Sequence, residues 1–268
     1  MDVPNREHYD QLYKEDYMSG FTDIYEYCRL KTVLMTLCYL KKTFTPQTIL
    51  DVGCGQGRYL GIVRQFYENS MLAGIDISEV AISKAREKFP ESIFYISSAE
   101  KMDCIPDASI DFIITIELLE HVQDVRKTVS EFSRVLKPNG RILFTTPCAN
   151  RYSFEWFSNF FSQTLEKSPD GFNRFGTDPY EHVRRLTSDD ISQVFSEVNL
   201  SVEKIRFRAH FFTRLSYLIY TTLRKKYNKP VLFKFFAELA FIDWRLFRWL
   251  PNGATMIGIG KKYDRYVK

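Results

Sequence analysis

The chain has 268 residues, 45% of them hydrophobic, 26% charged and 16% aromatic, with a net charge of +4. That is enough chain for one large domain with a substantial core, and it excludes a disordered, collagenous or small disulfide-stapled protein. The longest stretch without a charge, 249–260, is twelve residues and is broken by Pro251 and Gly253, so no spanning helix of about 20 apolar residues is expected.

The start, MDVPNREHYD, has no apolar core behind a basic segment, which argues against a secretory signal. Five cysteines, at 28, 38, 54, 104 and 148, are odd in number and lack paired metal spacing, so reduced thiols in a cytoplasmic protein are expected. Charge is uneven along the chain. Residues 201–268 hold 15 Lys/Arg and 4 Asp/Glu (+11), leaving 22 and 29 (−7) for the first 200. The basic last quarter needs its own explanation.

Tyr9, Tyr13 and Tyr17 recur at helical spacing and predict one helix face, either a lid over a site or core packing. Residues 21–43 predict a helix that packs on the domain C-terminal to it, so that 1–44 forms an N-terminal helical cap. From Thr48 short apolar runs at 48–53, 71–76, 93–97, 111–116 and 141–146 alternate with helical patterns at 57–68, 79–88 and 124–137. Such alternation means a parallel sheet covered on both faces, a doubly wound α/β domain. A polar connection, 147–187, leads to a helix at 188–198, a strand near 201–209 and a last strand at 254–262. The main domain is read as 45–209 plus 253–268.

The sharpest signal is ILDVGCGQGRYL, residues 49–60. A strand ends at Asp51, Gly53, Gly55 and Gly57 follow, and a helix begins. Glycines let the backbone turn tightly and approach a ligand without Cβ clashes, and the helix start offers unpaired N–H groups to an anion. Arg58 stands where a dinucleotide fingerprint has its third glycine, which weakens a nicotinamide reading. Asp51 suits a ligand carrying positive charge beside a carboxylate. Asp76, nineteen residues past Gly57, is placed to take both ribose hydroxyls.

These residues resemble the class I S-adenosylmethionine-dependent methyltransferases, nearest in motif to the quinone-type O-methyltransferases. The likeness covers roughly 45–200 and the last strand, and includes SSAEKMDCIPDASIDFIITIELLEHV (97–122) and RVLKPNGRILFTTP (134–147). It implies a Rossmann-like sheet in the order 3-2-1-4-5-7-6 with the last strand antiparallel. It also implies that Asp51 and the Gly53–Gly57 backbone, Cys54 included, hold the methionine moiety and Asp76 the ribose. Ile77 and Ala99 would flank the adenine with Ser98 or Glu100 at its amino edge, and Ile116 would line the pocket at the fourth strand's end. Ser98 replaces the family's usual acid there.

Methyl transfer is an in-line displacement, so the protein must align the acceptor and, for a hydroxyl, remove its proton. Candidates follow the fourth strand, where Glu117, Glu120 and His121 at i, i+3 and i+4 would share one helix face. His182, five residues before Thr187, joins them in two subfamilies, the quinone-ring O-methyltransferases and the small-RNA terminal-ribose methyltransferases. Two readings stay open. Glu117, Glu120, His121 and His182 could hold Mg²⁺ or Mn²⁺, or His121 could act as a general base without metal while Glu117 lines the cofactor pocket. The aromatics of 150–161 could grip a planar acceptor or pack a lid.

Between strands six and seven, residues 210–252 predict two helices joined by Arg224-Lys225-Lys226. On the first, Phe211, Leu215, Leu218, Ile219 and Thr222 share a side; on the second, Lys234, Glu238, Arg245 and Arg248 form a narrow polar stripe. So wide an apolar surface needs a partner: the enzyme body, a second subunit in a homodimer, or a membrane surface. Nucleic acid fits less well, because apolar residues dominate. The functions weighed are O-methylation of a small-molecule, lipid-linked or glycan hydroxyl, RNA ribose methylation with a metal, and a non-catalytic cofactor-binding regulator. The fourth strand is followed by ELLEH rather than an N-P-P-Y/F signature, which argues against adenine N-methylation.

Overall fold

A computed structural model describes residues 5–14, 24–150, 153, 184–224 and 230–263. Seven strands form one sheet: β1 (Thr48–Val52), β2 (Met71–Asp76), β3 (Ile93–Ile96), β4 (Ile110–Ile116), β5 (Leu136–Pro147), β6 (Leu200–Arg208) and β7 (Thr255–Lys262). Their order is β3-β2-β1-β4-β5-β7-β6, and β7 runs antiparallel to both β5 and β6. The sheet is the one expected from the alternation and the resemblance.

Among the described residues, six helices flank or cap the sheet: α1 (Arg6–Lys14), α2 (Ile24–Leu40), α3 (Arg58–Arg64), α4 (Glu79–Lys88), α5 (Val125–Val135) and α6 (Ser188–Ser196). Strands buried on both faces read as unbroken apolar runs, and neighbouring residues part to opposite sides. Leu50 and Ile113 face a core with Val129 and Phe132 of α5 and Phe195 of α6. Ile49 and Ile114 face another with Leu37 of α2, Leu60 of α3 and Ile82 of α4.

Two local expectations are corrected. Residues 117–121 form no helix: Glu117 has φ +53°, and His121 N–H closes a tight turn on Leu118 O at 2.8 Å. The helix starts later, where the Asp124 carboxylate accepts from the N–H groups of Arg126 and Lys127. The fifth strand starts at Leu136 rather than at the 141–146 run, and takes in Pro138-Asn139-Gly140, an irregular stretch where Asn139 takes φ +63° and the register with β4 shifts.

The segment after β6 folds as a hairpin of α7 (Phe211–Arg224) and α8 (Pro230–Phe247). It packs on α2, where Ile24 and Cys28 meet Tyr220, Phe236 and Ala240 in a third apolar cluster. Asp243 of α8 is fully buried and crosses to α7's first turn, accepting from Phe212 N–H, Thr213 N–H and Thr213 Oγ1 (3.3, 3.1 and 2.7 Å). A carboxylate there satisfies orphan donors and complements the helix dipole. Of the side of α7 grouped from spacing, Phe211, Ile219 and Thr222 are exposed and Leu215 is half-buried, while Thr213, Ser216 and Tyr220 point in.

Candidate cofactor and acceptor site

The glycine loop leaves the C-terminal end of β1 and is tied down by β2, Gly53 and Cys54 N–H both donating to Ile75 O (2.8 and 2.9 Å). Gly53, Gly55 and Gly57 take φ +76°, +51° and +77°, a region costly for other L residues. A Cβ at Gly53 would lie 2.9 Å from Leu118 Cδ1, one at Gly57 2.8 Å from the Phe89 ring, and one at Gly55 would collide with the Tyr13 hydroxyl. Cys54 is buried, and burial pushes its thiol well up, so it is packing rather than a nucleophile.

Two carboxylates lie buried beside this loop. Asp76 accepts from Gly55 N–H and Ser78 N–H at 2.8 and 2.9 Å. Asp51 is poorer in partners, its Oδ2 being buried with no donor. Burial, with the charge of Asp76 adding, pushes the Asp51 carboxyl up to about 8, and burial raises Asp76 as well. Such a pair fits a ligand that brings positive charge. S-adenosylmethionine carries a sulfonium and an ammonium, so the residues fit the cofactor that the resemblance implies.

The adenine-edge candidates differ in burial. Ala99 is buried and Ile77 and Ile116 are half-buried. Ser98 Oγ accepts from Glu100 N–H at 3.1 Å, and Glu100 Oε1 accepts from Gln123 N–H at 2.7 Å. Glu100 thereby ties its loop to the segment after the 117–121 turn.

Helix α1 lies across the loop. Asp10 accepts from Ser78 Oγ (2.6 Å) and Val80 N–H (3.1 Å) at the start of α4, and Lys84 Nζ donates to Tyr13 O at 2.6 Å. Tyr9 stands edge-on to His121, with ring centroids 6.3 Å apart. Helix α1 buries none of its residues, so Tyr9 and Tyr13 are not core packing; Tyr13 reaches Gly55 and Tyr9 reaches His121. Tyr17 lies outside the described residues.

On the acceptor side Glu117 is held by arginines that spacing had not singled out. Its carboxylate pairs with Arg29 of α2 at 3.0 Å and Arg208 of β6 at 3.3 Å, and accepts from Thr145 Oγ1 at 2.7 Å. Burial would lower the Arg29 guanidinium, but Glu117, Tyr59 and Glu26 hold it above its ordinary value; burial lowers Arg208. Glu26 also pairs with Arg58, just past the loop, at 3.2 Å.

This arrangement does not fit the divalent-ion reading. A cation at Glu117 would sit beside two guanidinium groups, and among the described residues no three His, Cys, Asp or Glu side chains converge to hold a metal. His182 lies outside the described residues, as does most of 150–161. Glu120 is fully buried, with its carboxyl pushed well up by burial and then by Glu117, and it accepts from Thr146 Oγ1 at 3.0 Å. His121 Nε2 stands 3.9 Å from Glu120 Oε1, its side chain 20% exposed against 0%. His121 is thus a partly exposed imidazole next to a buried carboxyl group, at a separation too long for a hydrogen bond between them.

Comparison with known proteins agrees with the fold. The chain is 34% identical over 102 residues to the ubiquinone biosynthesis O-methyltransferase of Azoarcus sp. strain BH72, covering 37% of this chain and 43% of that one. It is 31% identical over 132 residues to the O-methyltransferase cnsE of Penicillium expansum, covering 46% and 48%. The chain thus spans less than half the length of these relatives. Among solved structures, geranyl diphosphate C-methyltransferase from Streptomyces coelicolor superposes with a TM-score of 0.56 at 15% identity, over 87% of this chain and 77% of that one, a likeness of fold. Residues 23–205 match the family model described as a methyltransferase domain. With that match, this strand order and this glycine loop, the chain belongs to the class I S-adenosylmethionine-dependent methyltransferase family.

Proposed function

We propose that the chain transfers the methyl group of S-adenosylmethionine to a hydroxyl oxygen of a small-molecule or lipid-linked acceptor. The observation that carries this reading is His121, partly exposed beside the turn that follows β4 and edge-on to Tyr9 of α1. An imidazole open to the acceptor takes a proton from a hydroxyl as its oxygen attacks. The relatives named as O-methyltransferases support the same choice of acceptor atom.

When bound, the cofactor supplies an electrophilic methyl on a sulfonium. The protein's part is to hold and to exclude. Asp51, Asp76 and the loop N–H groups would hold the cofactor's charged and hydroxylated ends. The Arg29–Glu117–Arg208 cluster fixes the pocket wall between α2, β4 and β6. Tyr9 and Tyr13 of α1 close the space above and keep water away.

The test uses methyl-labelled S-adenosylmethionine with lipid and aqueous cell extracts, in the presence and absence of chelator. We expect chelator-insensitive label on oxygen, lost in His121→Ala while cofactor binding persists. Label on nitrogen or carbon, or an undiminished rate in His121→Ala, would refute the reading.

A further inference from the structure

Helix α8 is apolar on two opposite faces. Its inner face, Phe236, Ala237, Ala240 and Trp244, is buried against α7 and α2. The outer face is unaccounted for: Val231, Phe235, Ile242 and Leu246 stand 78%, 63%, 48% and 60% exposed. Steps of four, seven and four residues keep all four on one narrow strip of the helix. Trp249 (58%) and Leu250 (46%) extend the strip past the helix end. Scattered exposed apolar residues are ordinary, but an aligned file of six is not.

The charges beside the strip are of one sign. Lys234 and Arg245 are exposed next to it. At its end, the guanidinium groups of Arg206 and Arg248 lie over the Trp249 ring, 4.1 and 4.7 Å from its centroid. Helix α8 has two acids, and neither offsets these cations on the outer face. Glu238 accepts from Tyr27 and pairs with Lys31 at 3.5 Å, while Asp243 is buried under α7. A second copy of the chain would bring like charges together across the strip, and nucleic acid would leave the aliphatic residues without a partner. No described helix is long and apolar enough to cross a membrane.

We infer that the outer face of α8, with Trp249 and Leu250, is a docking surface for an anionic lipid bilayer. The helix lies in the interface plane, its apolar file among the acyl chains and Lys234, Arg245 and Arg248 at the level of the phosphates. Trp249 takes the position between them that amphipathic rings prefer.

Flotation of the full chain with vesicles tests this, using phosphatidylcholine alone and phosphatidylcholine mixed with phosphatidylglycerol. The protein should float with the mixed vesicles, less so with phosphatidylcholine alone, and the gain should fade as salt rises. Phe235→Asp with Leu246→Asp should abolish flotation, and Lys234→Glu with Arg245→Glu should weaken binding to anionic vesicles about tenfold or more. Both pairs lie on the surface, so circular dichroism and S-adenosylmethionine affinity should match the parent and separate lost docking from lost folding. Absence of vesicle binding, or binding that both pairs leave unchanged, would overturn the inference. So would a dimer in lipid-free solution that Phe235→Asp with Leu246→Asp dissociates, which would assign the face to a second copy.

Discussion

The two buried carboxylates beside the glycine loop should make cofactor binding release a proton. In the empty site Asp51 titrates at about 8 instead of 3.8, because burial and the neighbouring Asp76 oppose its charge. At 1.36 kcal/mol per pH unit, that displacement puts the cost of ionising it in the empty site at roughly 6 kcal/mol. A ligand with an ammonium and a sulfonium repays that cost, so binding selects the ionised form. About a tenth of the empty protein is ionised at pH 7 and about a hundredth at pH 6. Affinity for S-adenosylmethionine should therefore rise about tenfold from pH 6 to pH 7. Calorimetry in buffers of different ionisation enthalpy should report close to one proton released per cofactor bound. Asp51→Asn should bind more weakly at pH 7, with a flat dependence over that interval. Equal affinity at the two pH values, without proton release, would refute the assignment of Asp51 to the cofactor's charge.

The same shift acts on the ligand-free fold with a definite sign. Between about 4 and 8 the folded chain keeps a proton on Asp51 that the unfolded chain has lost, so stability falls as pH rises. Asp51→Asn should thus raise the Tm of the ligand-free protein by several degrees at pH 8 and by less at pH 5, as scanning calorimetry would read. Glu117→Ala leaves Arg29 and Arg208 buried without their shared counter-ion and should cost about 3–5 kcal/mol in urea unfolding; below 1 kcal/mol, the cluster would not be structural. Gly57→Ala forces φ +77° on a residue whose Cβ meets Phe89 at 2.8 Å, so S-adenosylmethionine binding measured by calorimetry should drop by tenfold or more, and unchanged affinity would contradict the cradle. Asp243→Ala removes the acceptor of three donors at the start of α7 and should speed amide exchange in α7 and α8 while β1 and β4 stay protected, at about 1–3 kcal/mol.

The sheet was readable because its physics is local and periodic. Apolar runs such as TILDV and IITI have the length of a strand buried on both faces, and glycines marked where the backbone must turn sharply. The acceptor side was less readable. Glu117, Glu120 and His121 have helical spacing, yet the left-handed backbone at Glu117 breaks the register and Asp124 starts the helix later. Arg29 and Arg208 lie some 180 positions apart, and an ion pair between distant residues leaves no periodic trace. Arg208 continues the regular polar–apolar alternation Lys204-Ile205-Arg206-Phe207-Arg208, so the pattern does not mark it as buried. Asp243 carried more of a signal. It falls outside the polar stripe of its helix, and an acid on the apolar side asks for donors that another element must bring.

Helix α1 gives the cofactor pocket a door cheap to open. It contributes no buried side chain, and the contacts that fasten it to α4 run through Arg6, Asp10 and the Tyr13 carbonyl rather than through the core. Swinging it away exposes the glycine loop and Asp76 while the seven strands stay packed. Spent cofactor can then leave and a fresh molecule enter without any unfolding of the sheet. Of these contacts only Arg6–Glu79 joins opposite charges, while Asp10 and the Tyr13 carbonyl are held by hydrogen bonds to neutral partners or from Lys84, so added salt should loosen the helix only slightly.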